Sequence, residues 1–217
     1  YITEGEVESM RIITISREFG SGGRELGKRL AEALEIPYYD KEILYAIAKE
    51  GNFNEDYVEE VLQRGLTPNF MPTFGHTFSL GPNPVMENEL EIMSLQQKII
   101  ENIAQKGDCV IVGRTSGIIL EKFRPMKIFV YADMGARLAR CRLRGDDVKN
   151  LSDKELQKKI QKIDEGRARH QRLFSDKKWG QKENYHLCVN TTGVEIAALV
   201  PAVKAYATAW FEQQEAD

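Results

Sequence analysis

Gly20, Ser21, Gly22, Gly23 and Arg24 come shortly after the β-branched run "RIITIS", Arg11 to Ser16. Glycines between a strand and a helix leave backbone N–H groups free to face a phosphate, and the helix N-terminus adds a favourable dipole. The standard phosphate loop reads G-x-x-x-x-G-K-S/T, in which lysine reaches the β- and γ-phosphates and the hydroxyl ligates magnesium. With the strand end setting the register, Arg17 stands at the first glycine, Gly22 at the second, Gly23 at the lysine, and Arg24 and Glu25 follow. Lysine and hydroxyl are both missing. Arg17 or Arg24 is left to supply the charge, since guanidinium forks suit phosphate oxygens. The competing reading is a plain tight turn between solvated arginines.

Further along, "CVIVGRTSG" places Gly113 and Arg114 just after an apolar run, with Thr115 and Ser116 offering hydroxyls at a helix start. Arg114 is a candidate phosphate contact, with a structural ion pair as the alternative. Asp40 opens "DKEILYAIAKEG" and reads as a helix N-cap. In "ARLARCRLRG", Arg137, Arg140 and Arg144 are spaced by three and four, so they share a helix face while Arg142 points away. Further on, Asp164 and Arg167 form an Asp-x-x-Arg pair, and Arg169 and Arg172 extend the basic group. From Arg137 to Lys182, basic side chains outnumber acidic ones 15 to 7, although the whole chain has a net charge of −3. One basic face on an acidic protein is an anion site or a solvated helix pair.

The elements that must position these residues read as strands alternating with helices. "KIFVYA" and "YHLCVN" resemble "CVIVGR" as apolar strands, and "VMENELEIMSLQQKIIENIAQKG" and "VEIAALVPAVKAYATAWFEQQ" are long helices. Strands apolar throughout, separated by helices, predict a parallel sheet covered on both faces, with binding at the carboxyl ends of its strands. Residues 66–84 mix Pro, Gly and aromatics with neither period and are expected to form a lid or insertion. Three cysteines at wide spacing match no zinc pattern and suggest a reduced, cytoplasmic protein. The short apolar runs and unremarkable start predict no membrane span or signal peptide. No nucleic-acid reading motif stands out, and oligomeric state is not readable.

Taken in order, "ITISREFGSGGRELGKRLAEAL", "YYDKEIL", "VIVGR" and "DEGRARHQRLFSDKKWGQKENYHLCVNTT" resemble the cytidylate kinase-like family of P-loop nucleoside monophosphate kinases, across about residues 11 to 195. The resemblance implies an α/β fold of three layers: a parallel sheet of about five strands, helices on both faces, and a helical lid over 135–182, all within a single domain spanning 1–217. It implies ATP and Mg2+ as cofactors and phosphoryl transfer to a nucleoside monophosphate, CMP or dCMP first. ATP would lie on Ser16, Gly20, Ser21, Gly22, Gly23, Arg24 and Glu25. Arg17, Arg24, Asp40, Arg167 and Arg169 would serve catalysis, Asp40 also reaching magnesium through water. Asp40, Gly113, Arg114, Thr115 and Arg137 would hold the acceptor. Authentic cytidylate kinases carry aspartate where Thr115 stands, so another small phosphate acceptor is one alternative. A regulatory nucleotide-binding protein is the other, because the lost lysine and hydroxyl act on charge and metal in the transition state. Trp179 and Tyr185 are expected to pack the lid segment against the sheet.

Overall fold

The computed structural model describes residues 10–64, 84–145, 148 and 150–216. The elements run β1 (Ile12–Arg17), α1 (Gly23–Leu34), β2 (Tyr38–Tyr39), α2 (Lys41–Gly51), α3 (Glu55–Arg64), α4 (Pro84–Ala104) and β3 (Cys109–Val112). There follow α5 (Ser116–Ile119), β4 (Met126–Tyr131), α6 (Met134–Arg144), α7 (Asp153–Arg172), β5 (Leu187–Asn190) and α8 (Ile196–Ala216). The expected loop at 66–84 falls outside the described residues except for Pro84, which opens α4.

All five strands are parallel, in the order β2-β3-β1-β4-β5. Alternation along the strands sends successive side chains to opposite faces. Ile12, Cys109 and Ile111 join one core with α2, α3 and α4, while Ile13, Ile15, Val110, Val112, Ile128 and Val130 join another with α1 and α8. Both faces are therefore apolar, and the expected three layers follow. A third, small cluster of Cys141, Val148, Leu156 and Ile160 holds α6 to α7 as a separate helical unit at the carboxyl end of the sheet.

β1 lies between β3 and β4, while the chain leaves it for α1 and the edge strand β2. The connections thus diverge at the carboxyl end of β1, where open α/β sheets bind their ligands. α1 is pinned there by Leu26, Leu30 and Ala31, which recur on one helix face and are buried. Replacing the fully buried Leu30 with alanine should cost about 2–5 kcal/mol of stability, measured as a lower denaturation midpoint at unchanged slope.

Candidate functional site

The turn from β1 to α1 is made by Gly20 and Gly22, at φ +80° and +85°, a conformation that L side chains rarely adopt. Gly22 occupies the N-cap position, and α1 begins without a side-chain cap. The first-turn N–H groups are therefore left for an anion. Gly20, Gly22 and Gly23 line a cavity of about 480 Å³, which Arg140, Cys141, Arg144 and Lys159 close from the lid side. A Cβ on Gly23 would lie 2.6 Å from the Cβ of Arg17. The stem of Arg17 thus fills the space in which a standard loop lysine would start.

A second cavity, of about 220 Å³, lies beyond the end of β3 and is lined by Gly113, Arg114, Thr115, Glu59, Gln63 and His170 among others. Gly113, Arg114 and Thr115 have φ of +78°, +56° and +55°. Two successive left-handed residues other than glycine cost about 1–3 kcal/mol each, strain of the kind that collects at functional sites. That turn puts the Arg114 side chain into the cavity with its Nε buried and without a hydrogen-bond partner. Gly113 leaves room for the Arg17 guanidinium, which occupies the place a Cβ would need.

Arg17, Phe19, Arg24, Lys41 and Arg167 line both cavities. Asp40 sits behind this shared wall, 3% exposed. It pairs with Arg24 and lies 3.8 Å from Arg17 Nη2. Asp40 stands at the N-cap of α2 but makes no cap bond, and Glu42 instead accepts from its N–H at 2.9 Å. Asp40 therefore does not cap α2; its carboxylate turns to the arginines instead. Asp164 pairs with Arg167, and Glu59 lines the smaller cavity with Arg114. Burial, then Arg167, Arg114 and Arg24, push the Arg17 guanidinium well below its ordinary range, against the pull of Asp40. Arg167 is lowered to about 10, again first by burial, and Arg114 is lowered by burial against Asp40 and Glu59. A phosphate between the cavities would relieve all three.

The lid is tied to the glycine loop by one carboxylate. Asp164 accepts from the Phe19 N–H at 2.8 Å, from Arg167 at 3.3 Å and from Arg137. Burial nevertheless holds its carboxyl above the ordinary range, against the attraction of Arg167 and Arg137. Arg137 also donates to the Phe19 carbonyl at 2.7 Å and pairs with Glu18, and Arg167 donates to the Arg17 carbonyl at 2.8 Å. The Phe19 ring lies against the Arg167 guanidinium.

The expected site residues divide accordingly. Arg17, Arg24 and Arg167 meet at the shared wall, the three loop glycines line one cavity, and Gly113, Arg114 and Thr115 line the other. Arg137 lines neither; it is buried in the Phe19 and Asp164 clamp, so the structure does not bring it to an acceptor. Arg169 is exposed and lines neither cavity, because two residues turn it about 200° from Arg167 on α7. Glu25 lies outside, paired with Arg29 and Arg144. Ser21 is buried, its hydroxyl donating to the Glu18 carbonyl. Ser16 lines the smaller cavity and bonds Tyr185. Trp179 and Tyr185 pack on Phe129 of β4 at 5.3 and 4.9 Å between ring centroids. Sequence reasoning missed the carboxylate role of Asp164, the placement of Lys41, and the buried pair of Gln96 and His170. Gln96 Nε2 donates to the Arg114 carbonyl and lies 3.4 Å from His170 Nε2. Only tertiary contact brings those two together, across 74 residues of chain.

These segments match the model of the cytidylate kinase-like family over residues 12–193. The chain belongs to the cytidylate kinase-like family. Among solved structures, an uncharacterized protein from Eubacterium ventriosum shares 24% identity at a TM-score of 0.64, covering 91% of this chain and 98% of that one. Shikimate kinase from Bacteroides thetaiotaomicron shares 16% at 0.56, with coverages of 91% and 98%. A gluconokinase from Sinorhizobium meliloti shares 13% at 0.53, with coverages of 95% and 96%. At these identities the likeness shows the P-loop kinase fold. No curated protein sequence matches the chain.

Membership of this family implies ATP and magnesium as the groups to be held. The uncapped helix, the positive-φ glycines and the orphaned Arg114 Nε fit phosphate groups. Asp40 pairs with Arg24, but its Oδ1 is buried without a hydrogen-bond partner, 3.8 Å from Arg17 Nη2, so Asp40 is the acid that would hold a water of a nucleotide-bound magnesium.

Replacing Arg137 with methionine leaves Asp164 with Arg167 and the Phe19 N–H alone and the Phe19 carbonyl without this donor, and should cost about 1–3 kcal/mol, read by chemical denaturation. His170 gives a pH test. Burial, then Arg114, lowers its imidazole to about 4 from 6.5, so the folded state keeps it neutral while the unfolded chain protonates. Its contribution is complete above the unfolded value and is lost as pH falls toward 4. Stability should drop by about 3 kcal/mol across that window, and His170→Gln should flatten the slope.

Proposed function

We propose that this protein transfers the γ-phosphoryl group of ATP to a small phosphorylated acceptor, a nucleoside monophosphate, with CMP or dCMP the first candidate. The observation that carries this reading is the shared wall: two cavities of different size meet at Arg17, Arg24, Lys41 and Arg167. Phosphoryl transfer asks little covalent chemistry of the protein and much positioning of positive charge between two bound phosphates. The larger cavity, with the α1 N-terminus and glycines, suits the donor. The smaller one, with Arg114 and Thr115, suits the acceptor.

In this reading, Arg114 holds the acceptor phosphate through its unpartnered Nε. Asp40 fixes the orientation of Arg17 and Arg24, and Arg167, anchored by Asp164, faces the charge that develops during transfer. An acceptor phosphate oxygen forms the new bond to the γ-phosphorus as the bond to the β–γ bridging oxygen breaks, and ADP departs with that electron pair. No general base is required, since the attacking oxygen is already ionised near neutral pH. Magnesium would come with the nucleotide, held by phosphate and water. The free thiols of Cys109, Cys141 and Cys188 are in keeping with a reducing cytoplasm.

The test is ADP formation from ATP and magnesium against all ribo- and deoxyribonucleoside monophosphates. Cytidine nucleotides should be turned over, and Arg114→Ala should lower kcat/KM for the acceptor by about 100-fold or more. Turnover confined to a non-nucleotide phosphate would move the acceptor class. Nucleotide binding without turnover on any acceptor would sink the kinase reading and leave a regulatory binder.

A further inference from the structure

Resting on that reading, we propose that Lys41 is the cation that follows the transferred phosphoryl group, in place of the lysine the glycine loop lacks. Lys41 is the first residue of α2 and lines both cavities. The other cations of the shared wall are each held by a carboxylate: Arg17 and Arg24 by Asp40, Arg167 by Asp164. Among the described residues, Lys41 has no ion-pair or hydrogen-bond partner, and its side chain is exposed.

Local structure gives no reason for a cation at this position. The first turn of a helix carries the positive end of the dipole, where lysine is disfavoured. Asp40, the residue before it, turns its carboxylate to the arginines and leaves the helix end uncapped by its side chain. A residue that breaks a local rule at a cavity mouth is expected where function compensates, and a polyphosphate would supply that compensation. The chemistry also separates lysine from its neighbours. A guanidinium fixed by a carboxylate presents one geometry, whereas an ammonium on a four-carbon stem carries three donors that can turn with a moving group. Lys41 therefore contacts the γ-phosphoryl oxygens while the phosphorus is bonded to the donor and keeps them as the new bond to the acceptor oxygen forms. The standard position cannot serve, because the Arg17 stem fills it.

The experiment compares wild type, Lys41→Met and Lys41→Arg. ADP formation with the best acceptor is measured alongside calorimetric binding of ATP and of a probe that spans both cavities, adenosine and cytidine joined 5′ to 5′ by five phosphates. Lys41→Met should lower kcat by about 100-fold or more and weaken both ATP and the spanning probe, each about tenfold. Lys41→Arg should recover part of each loss. If wild type binds the probe but turns over no acceptor, and Lys41→Met still weakens the probe, the kinase reading fails while the placement of Lys41 stands. Unchanged probe binding in Lys41→Met, or a wild type that does not bind the probe, overturns the placement whatever the turnover.

Discussion

A buried carboxylate between two guanidinium groups is the constraint on which the rest of the site depends. Asp40 is nearly inaccessible, and an isolated carboxylate in that position would be costly without partners. Arg17 and Arg24 provide them, and in return Asp40 makes it possible to bury Arg17 at all. The exchange is incomplete: Asp40 brings one negative charge to a wall that also faces Arg114, Arg167 and Lys41. Burial is the first cause of the lowered pKa of each buried arginine, and neighbouring guanidinium groups add to it. An anion bound between the cavities would offset both effects.

Asp164 repeats the device at the lid. It gathers the Phe19 N–H, Arg137 and Arg167, while Arg137 takes the Phe19 carbonyl. Both backbone groups of Phe19 are thus held by lid side chains. These bonds tie α6, α7 and the glycine loop together. A ligand that met the glycine loop differently in two lid positions would bias one of them, since a ligand can shift only those states whose contacts differ. Arg167, which carries both the Asp164 pair and a bond to the Arg17 carbonyl, is where that coupling reaches the shared wall.

Much of this was legible in the chain. The apolar runs became strands, β1, β3, β4 and β5 within one or two residues of the runs that suggested them, because strands buried on both faces leave an unambiguous pattern. Only the two-residue β2 was hidden, inside "YYD". Arg114 and the loop glycines were also readable, since their positions follow from strand ends. The arginines after Gly135 were harder. Spacing by three and four correctly put Arg137, Arg140 and Arg144 on one face, and they do reach the loop, Thr191 and Glu25 respectively. It could not say that the first becomes a structural clamp. Arg169 looked like a companion of Arg167 in a basic run, yet helical rotation sends it to solvent. Lys41 and His170 carried no signal of their own, because one looks like any lysine at a helix start and the other like any packed histidine.

The missing loop lysine can be read as decay or as a different solution, and the packing separates the two. Decay would leave a gap and a deficit of charge. Here the Cβ position of Gly23 is already taken by the Arg17 stem and Val130, so there is no gap to refill. The Arg17 guanidinium meanwhile occupies the place that Gly113 leaves open. The glycine at 23, the arginine at 17 and the glycine at 113 are therefore a matched set. Each requires the others, and together they move positive charge from the loop to the border between the cavities. A chain that had merely lost its lysine would have no reason to keep a buried carboxylate behind that border, holding two of the arginines toward both sides.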